Sequence, residues 1–167
     1  MEATRFYADS TCLIGLARID SLSLLRLLAP PVFVTATVWQ EVCGDGTRPG
    51  AVALVDALNA GLLEVVAEGR PDAYPELGPG EASVVSAAAA RRCGVLIDER
   101  KARALIRREP SLQQSILVVS GLIGLILLAK RRSIVASVRE LLIRLKAEGF
   151  WMGPEFQRRV LDEAGEE

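Results

Sequence analysis

Short apolar runs separated by stretches of helical periodicity constrain this chain more than any other feature. Residues 6–8, 32–34, 62–66, 95–97 and 116–119 are largely apolar and too short for helices, while the segments between them carry apolar residues three and four apart. Strands that read as nearly continuous apolar runs are buried on both faces, as in a parallel sheet covered by helices on each side. The expected fold is therefore α/β, a three-layer α/β/α arrangement with a central parallel sheet of about five strands. A length of 167 residues suits a single domain. The expected division is one domain over 1–167 with a helical tail from about 134, where Ile134, Val138, Leu141, Leu142 and Leu145 recur at helical spacing up to Gly149.

Helix boundaries follow from local chemistry. Asp9, Ser10 and Thr11 are residue types that open a helix, and Thr35 is a cap for residues 36–43. Leucines 22, 24, 25, 27 and 28 predict a second helical face that Pro30-Pro31 stops. Further helices are predicted at 51–60, ended by Gly61, at 81–92, ended by Gly94, at 100–108 and at 122–130, with a last short one opened by Pro154. Residues 67–78, with two prolines, read as a surface connection.

Composition removes several kinds of chemistry. The chain has no histidine, which excludes Ser-His-Asp triads, histidine zinc sites and imidazole bases. Its three cysteines, Cys12, Cys43 and Cys93, form no C-x-x-C pair and read as small buried residues in a reducing compartment. Half of the chain is hydrophobic and a quarter charged, unlike a disordered segment, and a net charge of -1 requires any polyanion to be met by a local basic patch. The mean hydropathy of +0.28 predicts apolar surface covered by a second subunit or partner. The apolar run 116–129 falls short of the ~20 residues that span a bilayer, and Glu2, Arg5 and Asp9 interrupt the first ten residues, so neither membrane insertion nor a secretory leader is expected.

Four acids share one kind of position. Asp9 and Asp98 follow apolar runs, Glu81 lies in the first turn of a helix, and Glu41 belongs to the helix after the second run. In open parallel sheets such positions converge on the carboxyl edge, where ligands bind. Converging carboxylates repel one another unless a cation neutralises them, and Mg²⁺ or Mn²⁺ suits all-oxygen ligands. Each acid also has a structural role open to it: Asp9 as a cap, Glu41 as a solvated helix position, Glu81 as a partner of the helix dipole and Asp98 as a strand-end cap.

The segments Ala8-Asp9-Ser10-Thr11-Cys12-Leu13-Ile14, Val38-Trp39-Gln40-Glu41-Val42, Gly78-Pro79-Gly80-Glu81-Ala82 and Leu96-Ile97-Asp98-Glu99-Arg100 resemble, in order and spacing, the four acidic motifs of PIN domains. The nearest branch is the stand-alone prokaryotic proteins related to VapC toxins, and the similarity extends through Gly121-Leu122-Ile123-Gly124-Leu125 to the tail. The resemblance implies a metal-dependent endoribonuclease in which Asp9, Glu41, Glu81 and Asp98 hold Mg²⁺ or Mn²⁺, with Glu99 equally able to fill the fourth position. It also implies a cytoplasmic toxin, an RNA substrate, a small antitoxin partner and a homodimer. Asp9→Asn is expected to remove a ligand charge while leaving the fold intact. The alternative is a PIN-fold module that binds nucleic acid or a partner with weak or no nuclease activity.

Basic residues follow the fourth motif: Arg100, Lys101, Arg103 and Arg107. They read either as a solvated helix face or, if they flank the acids, as contacts to the phosphate backbone of RNA. Ser10 and Thr11 have the same two options, helix caps or ligands to phosphate and water.

Overall fold

The computed structural model describes residues 3–167; Met1 and Glu2, the latter one of the charges read against a leader, lie outside the described residues. Five parallel strands form one sheet: β1 (Phe6–Ala8), β2 (Val32–Thr35), β3 (Leu63–Val66), β4 (Gly94–Leu96) and β5 (Val119–Ser120), in the order β3-β2-β1-β4-β5. β1, β2 and β4 are buried at every position, as both-face burial requires, while edge strand β3 exposes Glu64. With helices packed around the parallel sheet, this is the expected three-layer α/β/α fold.

The chain runs outward from β1 to β2 and β3, then returns to place β4 on the other side of β1. The gap between β1 and β4 is thus a topological switch point, where the loops after adjacent strands diverge and leave a crevice at the carboxyl edge. Ala8 pairs with Leu96, so the residues just beyond them, Asp9 and Ile97-Asp98, leave the sheet together. Gly94 makes the pairing possible, because a Cβ there would stand 2.7 Å from Cε1 of Phe6, its partner in register.

Nine α-helices are present among the described residues: α1 (Ser10–Arg18), α2 (Ala36–Val42), α3 (Ala51–Asn59), α4 (Pro79–Arg91), α5 (Arg100–Arg108), α6 (Pro110–Ser115), α7 (Leu122–Arg131), α8 (Val138–Ala147) and α9 (Pro154–Ala164). Four local expectations change. Leu22–Leu28 is a 3₁₀ helix that ends at Ala29 in the left-handed region, so Leu22, Leu24, Leu25 and Leu28 are buried by a tighter turn than the one read from spacing. The left-handed cap that closes α4 is Arg92, with φ 55°, and not Gly94, which belongs to the next strand. The fifth strand begins at Val119 and not at 116, because Ile116 closes the unanticipated α6 while Leu117 and Val118 are exposed. The tail helix starts at Val138, capped by Ser137, and leaves Ile134 outside it and 56 % exposed.

Glu166 fastens this tail. Its carboxylate accepts the amides of Val138 at 2.6 Å and Arg139 at 3.0 Å and the Ser137 hydroxyl at 3.2 Å, and it pairs with Lys130 at 3.1 Å. An anion from the chain's end therefore satisfies the free amides that open α8. Burial pushes the Glu166 carboxyl up, but the amides of Arg139 and Val138 with Lys130 and Ser137 outweigh it and bring it from 4.5 to about 2.

A carboxylate held low in the folded state contributes stability that is complete above its unfolded value and disappears as pH falls through the folded one. Glu166→Gln is therefore expected to lower the thermal midpoint by a few degrees near neutral pH, the scale of a lost helix cap of about 1 kcal/mol. The difference from the parent should shrink as pH falls from 4.5 towards 2. Thermal unfolding followed by circular dichroism across that range checks it, and a difference constant with pH would contradict the clasp.

Candidate active site

Asp9 ends β1 and caps α1, and both of its oxygens are engaged. Oδ1 accepts the Cys12 amide at 2.8 Å, and Oδ2 accepts the Asp98 amide at 3.0 Å. The Asp9 amide itself donates to the Leu96 carbonyl at 2.9 Å, so the side chain extends the β1-β4 pairing past the end of the sheet. Asp9 is 1 % exposed, and burial raises its carboxyl to about 6, partly offset by the two amide hydrogen bonds. It is therefore both the cap and a buried charge at the switch point, the two readings open from sequence.

Asp98 lies beside it, half-buried. Its carboxylate accepts the Leu122 amide at 3.2 and 3.3 Å and the Cys12 thiol at 3.1 Å. Leu122 opens α7, and Gly121 before it is obligatory in this packing because a Cβ there would overlap Asp98 Oδ1. The Cys12 thiol is pushed well up by its burial and by the carboxylates of Asp9 and Asp98, so it stays a neutral donor between them. Reading Cys12 as merely small and apolar misses this role; its position three residues after a strand-end acid was the available signal.

Glu41 approaches through Ser10, whose hydroxyl donates to its Oε2. The Glu41 carboxylate rests on Gly80 in the first turn of α4, where a Cβ would stand 2.5 to 2.9 Å from it. Glu81, the next residue, folds back over Gly78 at the start of the same helix, the place the dipole favours. A buried hydroxyl relay holds the two helices in this relation. The Val38 amide donates to Thr35 Oγ1 at 3.2 Å, Thr35 and Ser83 are 2.7 Å apart, and Ser83 donates to the Gly80 carbonyl at 2.7 Å.

Asp9 and Asp98 are thus brought together directly, and Glu41 joins them through Ser10. Glu81 stands at the adjacent start of α4. Glu99 turns elsewhere: its two oxygens cap α5 by accepting the amides of Lys101 at 3.0 Å and Ala102 at 2.7 Å. Among the described residues, no three acidic or cysteine side chains stand close enough to share one metal ion.

Arg103 reaches the acids from α5, its Nη1 donating to the Ile97 carbonyl at 3.3 Å, and it lines a cleft with Asp98, Ser120 and Gly121. Arg100, Arg103 and Arg107 recur at three- and four-residue spacing, one stripe of α5, while Lys101 lies off it. Thr11 is exposed and lines a neighbouring opening with Asp98, whereas the Ser10 hydroxyl is already committed to Glu41.

The motifs, the parallel sheet and the paired acids at its switch point coincide with a family-level match: a family model described as a PIN domain covers residues 6–166. The chain belongs to the PIN-domain family. No curated protein and no solved structure matches it. PIN domains are typically nucleases and generally use divalent metals, which is the chemistry that an edge of carboxylates with no histidine suits. No helix among the described residues of this PIN domain is long and apolar enough to cross a membrane.

The relay predicts a cost remote from any ligand. Ser83→Ala removes the hydrogen bond to the Gly80 carbonyl and leaves the buried Thr35 hydroxyl only its bond from the Val38 amide, which should destabilise the fold by about 1–3 kcal/mol, a fall of several degrees in the thermal midpoint. Calorimetry checks this, and an unchanged midpoint would mean that the relay does not hold α2 against α4.

Proposed function

We propose that this PIN domain is a metal-dependent endoribonuclease that hydrolyses RNA phosphodiesters. Asp9 and Asp98 side by side at the switch point, with Glu41 reached through Ser10, carry the reading. The donor set fits a hard cation: it is all carboxylate oxygen, the one nearby thiol stays protonated, and the chain has no histidine. The notches at Gly80 and Gly121, which a Cβ would fill, let the carboxylates of Glu41 and Asp98 lie against the starts of α4 and α7, and at α7 the Leu122 amide faces Asp98.

Asp9, Glu41, Glu81 and Asp98 would hold Mg²⁺ or Mn²⁺, with Glu99 the less favoured fourth acid because it caps α5. When bound, the cation supplies charge for the anionic transition state and acidity for an attacking water. The chain's own residues do the rest. Asp9 and Cys12 exclude water beneath the site, the Leu122 amide orients Asp98, and Arg103, with Arg100, Arg107 and Lys101 along α5, meets the phosphate backbone. Thr11, at the mouth, and Ser10, beneath it, complete the substrate side.

The wider reading takes residues 1–167 as one PIN domain with its tail from about 134, acting in the cytoplasm as the toxin of a toxin-antitoxin pair related to VapC. The edge strand β5, preceded by exposed Leu117 and Val118, and exposed Ile134 and Ile143 on the tail support a homodimer and an antitoxin as partners. A second reading, a PIN-fold binding module with weak or no nuclease activity, is favoured by one observation: no three of the described acids gather closely enough for one ion.

Glu41→Gln separates the two readings, because Glu41 holds no backbone amide and its charge can be removed without unmaking a cap. Cleavage of single-stranded RNA in Mn²⁺ should fall by about a hundredfold or more, as should the parent's in EDTA, with the thermal midpoint little changed. Asp9→Asn is a poorer probe than its size suggests: an amide offers one acceptor oxygen where two backbone amides must be met, so it also costs stability. A parent that does not cleave RNA in Mn²⁺ would leave the binding module as the better account, and a Glu41→Gln protein as active as a cleaving parent would remove Glu41 from the site.

A further inference from the structure

Beside the acids lies an aromatic surface that the metal chemistry does not use. Trp151 is 86 % exposed and Phe156 40 % exposed, both in the stretch that leads into and opens α9. Their rings stand between two openings. One, of about 240 Å³, is lined by Thr11 and Asp98 together with Ile123, Phe150, Trp151 and Phe156. The other is lined by Arg100, Trp151, Glu155, Phe156 and Arg159, with the Arg159 guanidinium 5.9 Å from the centre of the Phe156 ring. The indole rests on Gly153, where a Cβ would stand 3.5 Å from Cη2, and its remaining surface is open.

An indole left this exposed gives up a large apolar area, and its surroundings restrict what can cover it. The occupant must offer a flat π-face to Trp151 and Phe156 and negative charge to Arg100 and Arg159, against the single acid Glu155. It must also continue into the opening shared by Thr11 and Asp98. A nucleotide meets all three conditions, its base on the rings and its phosphates on the arginines. Only an unpaired base can present its face, since bases in a duplex are stacked on one another.

We propose that Trp151 and Phe156 form a stacking subsite for an unpaired nucleobase of single-stranded RNA, next to the phosphate presented at Asp98, with Arg100 and Arg159 on the adjoining backbone. The subsite rests on the nuclease reading and names its substrate class, a single strand. Trp151 supplies affinity and strand preference, and the acids supply the chemistry.

The test measures binding of a short single-stranded oligoribonucleotide, and of its duplex, to the full chain in EDTA, where no cleavage occurs. The parent should prefer the single strand. Trp151→Ala should weaken single-strand binding roughly tenfold and leave duplex binding unchanged, while Trp151→Phe, which keeps a ring, should stay within about threefold of the parent. The side chain is exposed, so both variants should fold as the parent does. If Trp151→Ala binds the single strand as the parent does while the parent cleaves RNA in Mn²⁺, the subsite alone is overturned. If the variant keeps its RNA affinity but loses self-association in sedimentation, the face belongs to a protein contact and the subsite is likewise overturned. A parent that neither binds nor cleaves RNA ends the nuclease reading and the subsite with it.

Discussion

The carboxylate of Asp9, bridging the amides of Cys12 and Asp98, is the interaction on which the site depends. It closes the start of α1, and it joins the ends of β1 and β4 beyond their last paired residues. Two adjacent parallel strands whose connections depart in opposite directions would otherwise leave unpaired amides at the crevice. One buried acid answers that need for both. Around it the other groups take their places: Cys12 between the two aspartates, the α7 amide on Asp98, and Ser10 on Glu41.

That arrangement has an electrostatic consequence. A carboxyl raised to about 6 by burial is ionised at neutral pH against the preference of its surroundings. The contribution of Asp9 to stability therefore falls as pH rises from 3.8 through about 6, and a cation placed beside it would offset that fall. Two backbone amides and a neutral thiol soften the charge without cancelling it. The same edge that makes the fold tolerate two adjacent acids leaves them short of positive charge, with Arg103 the nearest cation of α5 to reach the cleft.

Much of this was legible in the sequence because its signals are local. Apolar runs marked β1, β2 and β4 to within a residue, Thr35 was a cap where a cap was expected, and the strand-end positions of Asp9 and Asp98 followed from the runs before them. What was not legible depends on contacts distant in sequence. Asp98 and Glu99 are neighbours with the same charge, and only the start of α5 shows that Glu99 folds forward onto its own helix while Asp98 faces Asp9. Gly94 looks like a helix stop until Phe6 is beside it. The leucines of residues 22–28 have the same spacing in a 3₁₀ or an α-helix, and packing chose the tighter one. The hydroxyl relay from Thr35 to Ser83 joins residues 48 apart and has no sequence signature.

Under the nuclease proposal the acids at the switch point would hold a divalent cation. Isothermal titration of the metal-free full chain with Mn²⁺ tests it most directly, independently of any RNA. Saturable binding at a whole-number stoichiometry, weakened in the Glu41→Gln protein, is the predicted result. An absence of binding heat together with a thermal midpoint unmoved by Mn²⁺ would contradict it.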